Sequence, residues 1–146
     1  MTSRHQSVDR LQVLFVCVHN AGRSQMAAAL LAHHGGGRVR ARSAGSEPAR
    51  TLDPAVVAVM AEVGIDLGRE RPTAVTDQMA RTADVVVTMG CGDRCPVHPG
   101  SRHLDWDVPD PSGRPVEEVR LIRDQIHGRV RALLGELLPA DPRGPA

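Results

Sequence analysis

The chain has 146 residues, 41% of them apolar and 24% charged, with 18 basic residues against 17 acidic ones. That size and composition fit one globular domain with its own core. The near-zero net charge of +1 and the absence of a membrane-length apolar run argue against a nucleic-acid or membrane partner.

The elements follow in chain order. Residues 1–10 are polar and are expected to form a flexible tail; "MTSRHQSVDR" lacks the apolar stretch of a secretory leader, so a cytoplasmic location is expected. "LQVLFVC" (11–17) is an almost unbroken apolar run, as in a parallel strand covered on both faces. "RSQMAAALLAHH" (23–34) is rich in helix formers and stops at a triple glycine. "RVRARSAGS" (38–46) alternates like a strand. "DPAVVAVMAEVG" (53–64) predicts a helix capped by Asp53 and stopped by Gly64. A short helix capped by Thr76 is expected over 76–83, followed by a buried strand over 84–89. "GCGDRCPVHPG" (90–100) reads as a loop, "RHLDW" (102–106) as a short strand and "DVPDPSGRP" (107–115) as irregular.

Residues 116–138 predict a long amphipathic helix with Val119, Ile122, Ile126, Val130, Leu133, Leu134 and Leu137 on its apolar face. Its arginines (Arg120, Arg123, Arg129, Arg131) are expected on the solvated side. The tail 139–146 is rich in Pro and Gly and is expected to be flexible. Alternating strands and helices predict an α/β three-layer sandwich over 11–138, with a central parallel four-stranded sheet and helices on both faces. Ligands of such sheets bind at the carboxyl ends of the strands. Cys17 and the turn after Met89 both stand at such ends.

The segment "CVHNAGRS" (17–24) carries the clearest chemistry. Its spacing is Cys-x5-Arg-Ser, placed between a strand and a helix. Successive backbone N–H groups of Val18, His19, Asn20, Ala21, Gly22, Arg23 and Ser24 can converge into an anion-binding nest. The helix start adds the positive end of its dipole. Gly22 is expected to let the backbone turn. Arg23 offers a planar fork of donors for two oxygens of a tetrahedral anion. Beneath that anion, the same donors stabilise Cys17 as a thiolate nucleophile. Ser24 can donate to the sulfur, and Asn20 can hold the loop's shape.

This loop resembles the phosphate-binding loop of the low-molecular-weight protein tyrosine phosphatases and of the arsenate reductases that share their fold. "RSAGS" (42–46), "AEVGIDL" (61–67), "ADVVVTM" (83–89) and "DPSG" (110–113) extend the resemblance over roughly residues 11–138. The resemblance implies that Cys17 is the nucleophile, Arg23 the oxyanion binder and Asp110 the general acid. The flanking prolines of "VPDPSG" independently favour a rigidly held carboxyl group at Asp110.

Two features weigh between phosphatase and reductase. The chain has no Tyr, one Phe and one Trp, so it has little with which to wall a phosphotyrosine ring. The segment "MGCGDRCP" resembles the redox segment of the reductase branch. The resemblance then implies that Cys91 resolves the Cys17 adduct and Cys95 attacks Cys91, with thioredoxin as electron donor. Only three residues separate Cys91 from Cys95, closer than in the thioredoxin-coupled enzymes, and that short spacing is more similar to reductases that use mycothiol and a mycoredoxin, in which Cys91 and Cys95 would be dispensable. The expected activity is arsenate reduction, with arsenate or phosphate as the bound oxyanion and no cofactor or metal. The alternatives are a phosphomonoester phosphatase working through a phosphocysteine, and a zinc- or arsenite-binding module built from Cys91, Cys95, His98 and His103.

Overall fold

The computed structural model describes residues 10–91 and 99–138. The expected tails, together with Cys95 and His98, therefore lie outside the described residues, apart from Arg10. Among those described are four strands: β1 (Leu11–Cys17), β2 (Val39–Gly45), β3 (Val85–Met89) and β4 (Arg102–Asp105). Four helices accompany them: α1 (Arg23–Gly35), α2 (Pro54–Ala61), α3 (Asp77–Thr82) and α4 (Val116–Leu137). The strands form one parallel sheet in the order β2-β1-β3-β4. This is the expected α/β architecture.

Local chemistry sets the helix ends. The Asp53 carboxylate accepts from the Ala55 N–H at 2.9 Å with Pro54 in the first helical position, and Thr76 Oγ1 accepts from the Met79 N–H at 3.1 Å. Helix α2 ends three residues before the expected stop. The chain leaves it through a turn in which Gly64 takes φ +81° and the Ile65 N–H reaches back to Met60 O.

The alternation of β1 divides the interior. Val13, Phe15 and Cys17 face a large core shared with Met26, Leu30 and Leu31 of α1, Val56 and Met60 of α2, and Ile122, Ile126 and Val130 of α4. Leu14 and Val16 face a smaller cluster with Met79 and Ala80 of α3, Val86 and Cys91. The layers are thus unequal, with three helices on one face and the short α3 on the other. Phe15 and Trp106 meet inside the larger core, their ring centres 5.6 Å apart.

Helix α4 buries the expected apolar face, but its arginines are more engaged than a solvated stripe. Arg120 grips both oxygens of Glu62, and Arg123 donates to Val59 O at 2.8 Å and to Glu62 at 2.9 Å. Arg129 lies 5.9 Å from the centre of the Trp106 ring. Helical periodicity identifies the side these residues occupy; their partners, from about 20 to about 60 residues distant in sequence, come from tertiary packing.

Candidate active site

The strand order places a crevice where the chain reverses its direction of travel across the sheet. From β1 it crosses to β2 on one side, then returns past β1 to β3 and β4. The switch falls between β1 and β3, whose last residues, Cys17 and Met89, are register partners. Cys17 is a free thiol and is 2% exposed.

The loop after Cys17 is shaped by a wall of donors on its outer side. The carbonyls of Cys17, Val18, His19 and Ala21 accept from the N–H groups of Ser46, Glu47, Ala49 and Asp53, at 2.8–3.0 Å. The Gly22 carbonyl accepts from Met26 N–H within the first turn of α1. In a trans peptide the N–H points opposite to the C=O. With its carbonyls drawn outward, the loop turns the N–H groups of Val18, His19, Asn20, Gly22 and Arg23 toward the crevice. The Asn20 N–H ends 3.3 Å from Cys17 Sγ, as this orientation requires. Asn20 supplies the turn at φ +51°, a left-handed conformation that asparagine tolerates better than most residues.

Sequence alone assigned that turn to Gly22. Gly22 has φ −144°, and its lack of a side chain serves a contact instead. A Cβ there would stand 2.8 Å from Pro111 Cγ, so glycine is what lets the acid-bearing segment dock on the loop.

Side chains complete the cradle. Ser24 Oγ lies 2.9 Å from Cys17 Sγ, and Asn20 Nδ2 donates to Ser24 Oγ at 2.6 Å. The guanidinium of Arg23 donates to Val108 O at 3.1 Å and stands 3.9 Å from Asp110 Oδ2. Arg23 is largely enclosed (11% exposed), whereas Asp110 is half open to solvent (47%), a suitable place for a proton donor. Asp110 is held by its own turn: Oδ1 accepts from Ser112 N–H at 3.0 Å. Cys17, His19, Gly22, Arg23 and Asp110 thus line a single cleft of about 460 Å³, whose far wall includes Thr51, Leu52 and Asp53. His19 is exposed at its mouth. No Phe, Tyr or Trp lines the cleft.

Cys91 is not in this cleft. It is buried on the opposite face of the sheet, among Leu14, Val16 and Met79, and is disulfide-bonded. Its sulfur lies 3.9 Å from Val16 O, a contact without a proton to share in this oxidation state. His103, on β4, faces Thr88 Oγ1 at 3.3 Å. Cys95 and His98, which complete the expected relay and the alternative zinc set, fall outside the described residues. Sequence reasoning had no signal for Gly90, whose φ of +83° and missing side chain make room for the Arg23 guanidinium.

A crevice at the switch point of a parallel sheet, floored by a thiol and edged by an arginine and a carboxyl group, is an arrangement suited to holding a small oxyanion against the sulfur. The profile of the family described as low molecular weight phosphotyrosine protein phosphatase matches residues 12–141, and the chain belongs to that family. Its relatives include a glutaredoxin arsenate reductase from Synechocystis sp., 34% identical over 129 residues that span 86% of this chain and 98% of that protein. Among solved structures, a thioredoxin-dependent arsenate reductase from Corynebacterium glutamicum superposes with a TM-score of 0.80 at 42% identity, covering 92% of this chain. The present chain spans 65% of that longer one. The YwlE arginine phosphatase from Geobacillus stearothermophilus gives a TM-score of 0.73 at 28% identity, covering 87% of this chain and 92% of its own.

Proposed function

We propose that this chain reduces arsenate to arsenite at Cys17. The observation that carries the reading is the cleft itself: a complete tetrahedral-oxyanion cradle with no aromatic wall. The chain has no Tyr, and its single Phe and Trp are spent in the core. A phosphotyrosine ring therefore finds no stacking partner, whereas a bare oxyanion needs none. The similar arsenate reductases support the same reading.

The steps use residues whose geometry is described above. The inward-turned amides of Val18, His19, Asn20, Gly22 and Arg23 and the Arg23 fork bind the arsenate oxygens and neutralise charge. The Cys17 thiolate attacks arsenic, an As–O bond breaks, and Asp110 gives its proton to the oxygen that leaves as water. A second thiolate then attacks the Cys17 sulfur. The S–As bond breaks, its electron pair stays on arsenic as arsenite, and the two sulfurs are left joined. The second thiol is either Cys91, once a thioredoxin- or glutaredoxin-type donor has reduced its disulfide, followed by Cys95 and the same donor, or a small thiol such as mycothiol followed by a mycoredoxin. Since Cys91 lies on the other face of the sheet, the first route requires residues 90–91 to move. Chemistry that consumes reduced thiols suits a cytoplasmic setting.

Arsenate-dependent thiol consumption, assayed side by side with thioredoxin and with mycothiol plus mycoredoxin, tests the proposal. Turnover with either donor, abolished in Cys17→Ser, is expected. Rapid p-nitrophenyl phosphate hydrolysis with no arsenate-dependent thiol loss overturns it in favour of the phosphatase reading, which the family match and the Asp110 acid also support. Stoichiometric zinc in the purified protein that survives Cys17→Ser, with neither activity, would instead favour the binding module.

A further inference from the structure

Behind the cradle, buried polar groups form a chain whose direction is fixed by the backbone. Asn20, Ser24 and Gln25 are all at most 3% exposed. The chain starts at the segment 71–73. The Thr73 N–H, which can only donate, points at Asn20 Oδ1 from 2.8 Å. This fixes the Asn20 amide with its oxygen toward Thr73 and its nitrogen toward Ser24. Gln25 is fixed in the same way by a group that can only accept. Its Nε2 lies 3.2 Å from Arg71 O and 3.1 Å from Asn20 Oδ1, so it donates to both. Asn20 Nδ2 then donates to Ser24 Oγ at 2.6 Å, and the one hydroxyl proton of Ser24 is left to point at Cys17 Sγ, 2.9 Å away. The Cys17 sulfur thus accepts both this proton and the Asn20 N–H.

We propose that Gln25 is a positioning residue for the nucleophile, setting the polarity of this chain and so the donor character of Ser24 toward Cys17. It touches no substrate; it acts through Asn20. Two N–H donors on one amide oxygen polarise the Asn20 side chain, and the donation from its nitrogen strengthens accordingly. Gln25 also ties the loop's left-handed residue to Arg71 O, securing the loop to a segment some 50 residues further along. The inference rests on Cys17 being the nucleophile of the proposed reaction, but not on which oxyanion is reduced or hydrolysed.

The test uses two variants and a readout independent of turnover: the pH dependence of iodoacetamide alkylation at the Cys17 peptide, followed by mass spectrometry. Gln25→Met keeps the volume and leaves Thr73 as the lone donor to Asn20. It is expected to slow alkylation near neutral pH about 3- to 10-fold, to move the profile to higher pH, and to lower kcat with KM for the oxyanion within about twofold. Gln25→Glu faces two acceptors with a third, so a larger loss in the same direction is expected. If buried charge keeps that variant from folding, Gln25→Met decides alone. A folded Gln25→Met whose alkylation profile overlies the wild type, or whose defect lies only in KM, overturns the inference. Failure of arsenate turnover in the wild type would strike the proposed function while leaving the alkylation test intact.

Discussion

Replacing Gly90 with Ala tests whether the oxyanion arginine is held in place by the absence of a side chain. A Cβ at residue 90 would stand 2.8 Å from Arg23 Nη1, 3.5 Å from Cζ and 3.6 Å from Nη2. Ordinary contact begins near about 3.5 Å, so the tip of Arg23 must withdraw by roughly 0.7 Å. The tip of a flexible side chain can yield, and the fold survives. The backbone cost is that of an alanine at φ +83°, about 1–2 kcal/mol, or roughly 3–8 °C in melting temperature. Function suffers more. The 3.1 Å bond from Nη1 to Val108 O is strained or broken, and the fork no longer aims at the cleft. One hydrogen bond involving a charged group is worth about 1.5–3 kcal/mol, which converts to roughly 10- to 150-fold weaker oxyanion binding. Protection of Cys17 from iodoacetamide by inorganic phosphate, measured well below the melting transition, reads this directly. A Gly90→Ala protein with the wild-type protection midpoint, despite its lower melting temperature, would show that Arg23 does not depend on this gap.

Other outcomes follow from the same geometry. Ser24→Ala removes the hydroxyl 2.9 Å from Cys17 Sγ and should slow the first chemical step by one to two orders of magnitude, measured as single-turnover adduct formation. Asp110→Asn abolishes the proton donor; arsenate turnover should fall about 10²- to 10⁴-fold, and p-nitrophenyl phosphate cleavage less, because p-nitrophenolate departs without a proton. Glu62 is held below the usual carboxylate range by its hydrogen bonds from Arg120, aided by Arg123. That stabilisation is therefore present above the carboxyl group's ordinary value and is lost as pH falls through the lowered, folded one. Glu62→Gln should flatten the acid limb of a melting-temperature curve below about pH 4.5, and an unchanged limb would count against the link.

Much of the fold and part of the site are legible in the sequence because they are local. The apolar runs of β1 and β3, the caps at Asp53 and Thr76 and the helical period of α4 are each decided by neighbours in the chain. So is the cradle, where strand end, loop and helix start supply its parts within eight residues. Asp110 is legible through its flanking prolines. What escapes the sequence is set by distant contacts. Gly22 reads as a turn residue, yet Pro111, 89 positions later, is the reason for it, while Asn20 makes the turn. Gln25 reads as one more helix former, although its amide faces Asn20 and the 71–73 segment. The side of the sheet on which Cys91 falls depends on how the chain leaves β3 at Gly90, which no spacing rule reports.

The two sulfurs also sit in different surroundings and different oxidation states. Cys17 lies with one core and Cys91 with the other, so the strand layer stands between them as insulation. With Cys91 held in its disulfide on the far side, Cys17 is left as a free thiol facing the cleft. Were the two sulfurs to exchange as in the first of the proposed routes, they would have to meet around the rim of the sheet rather than through it.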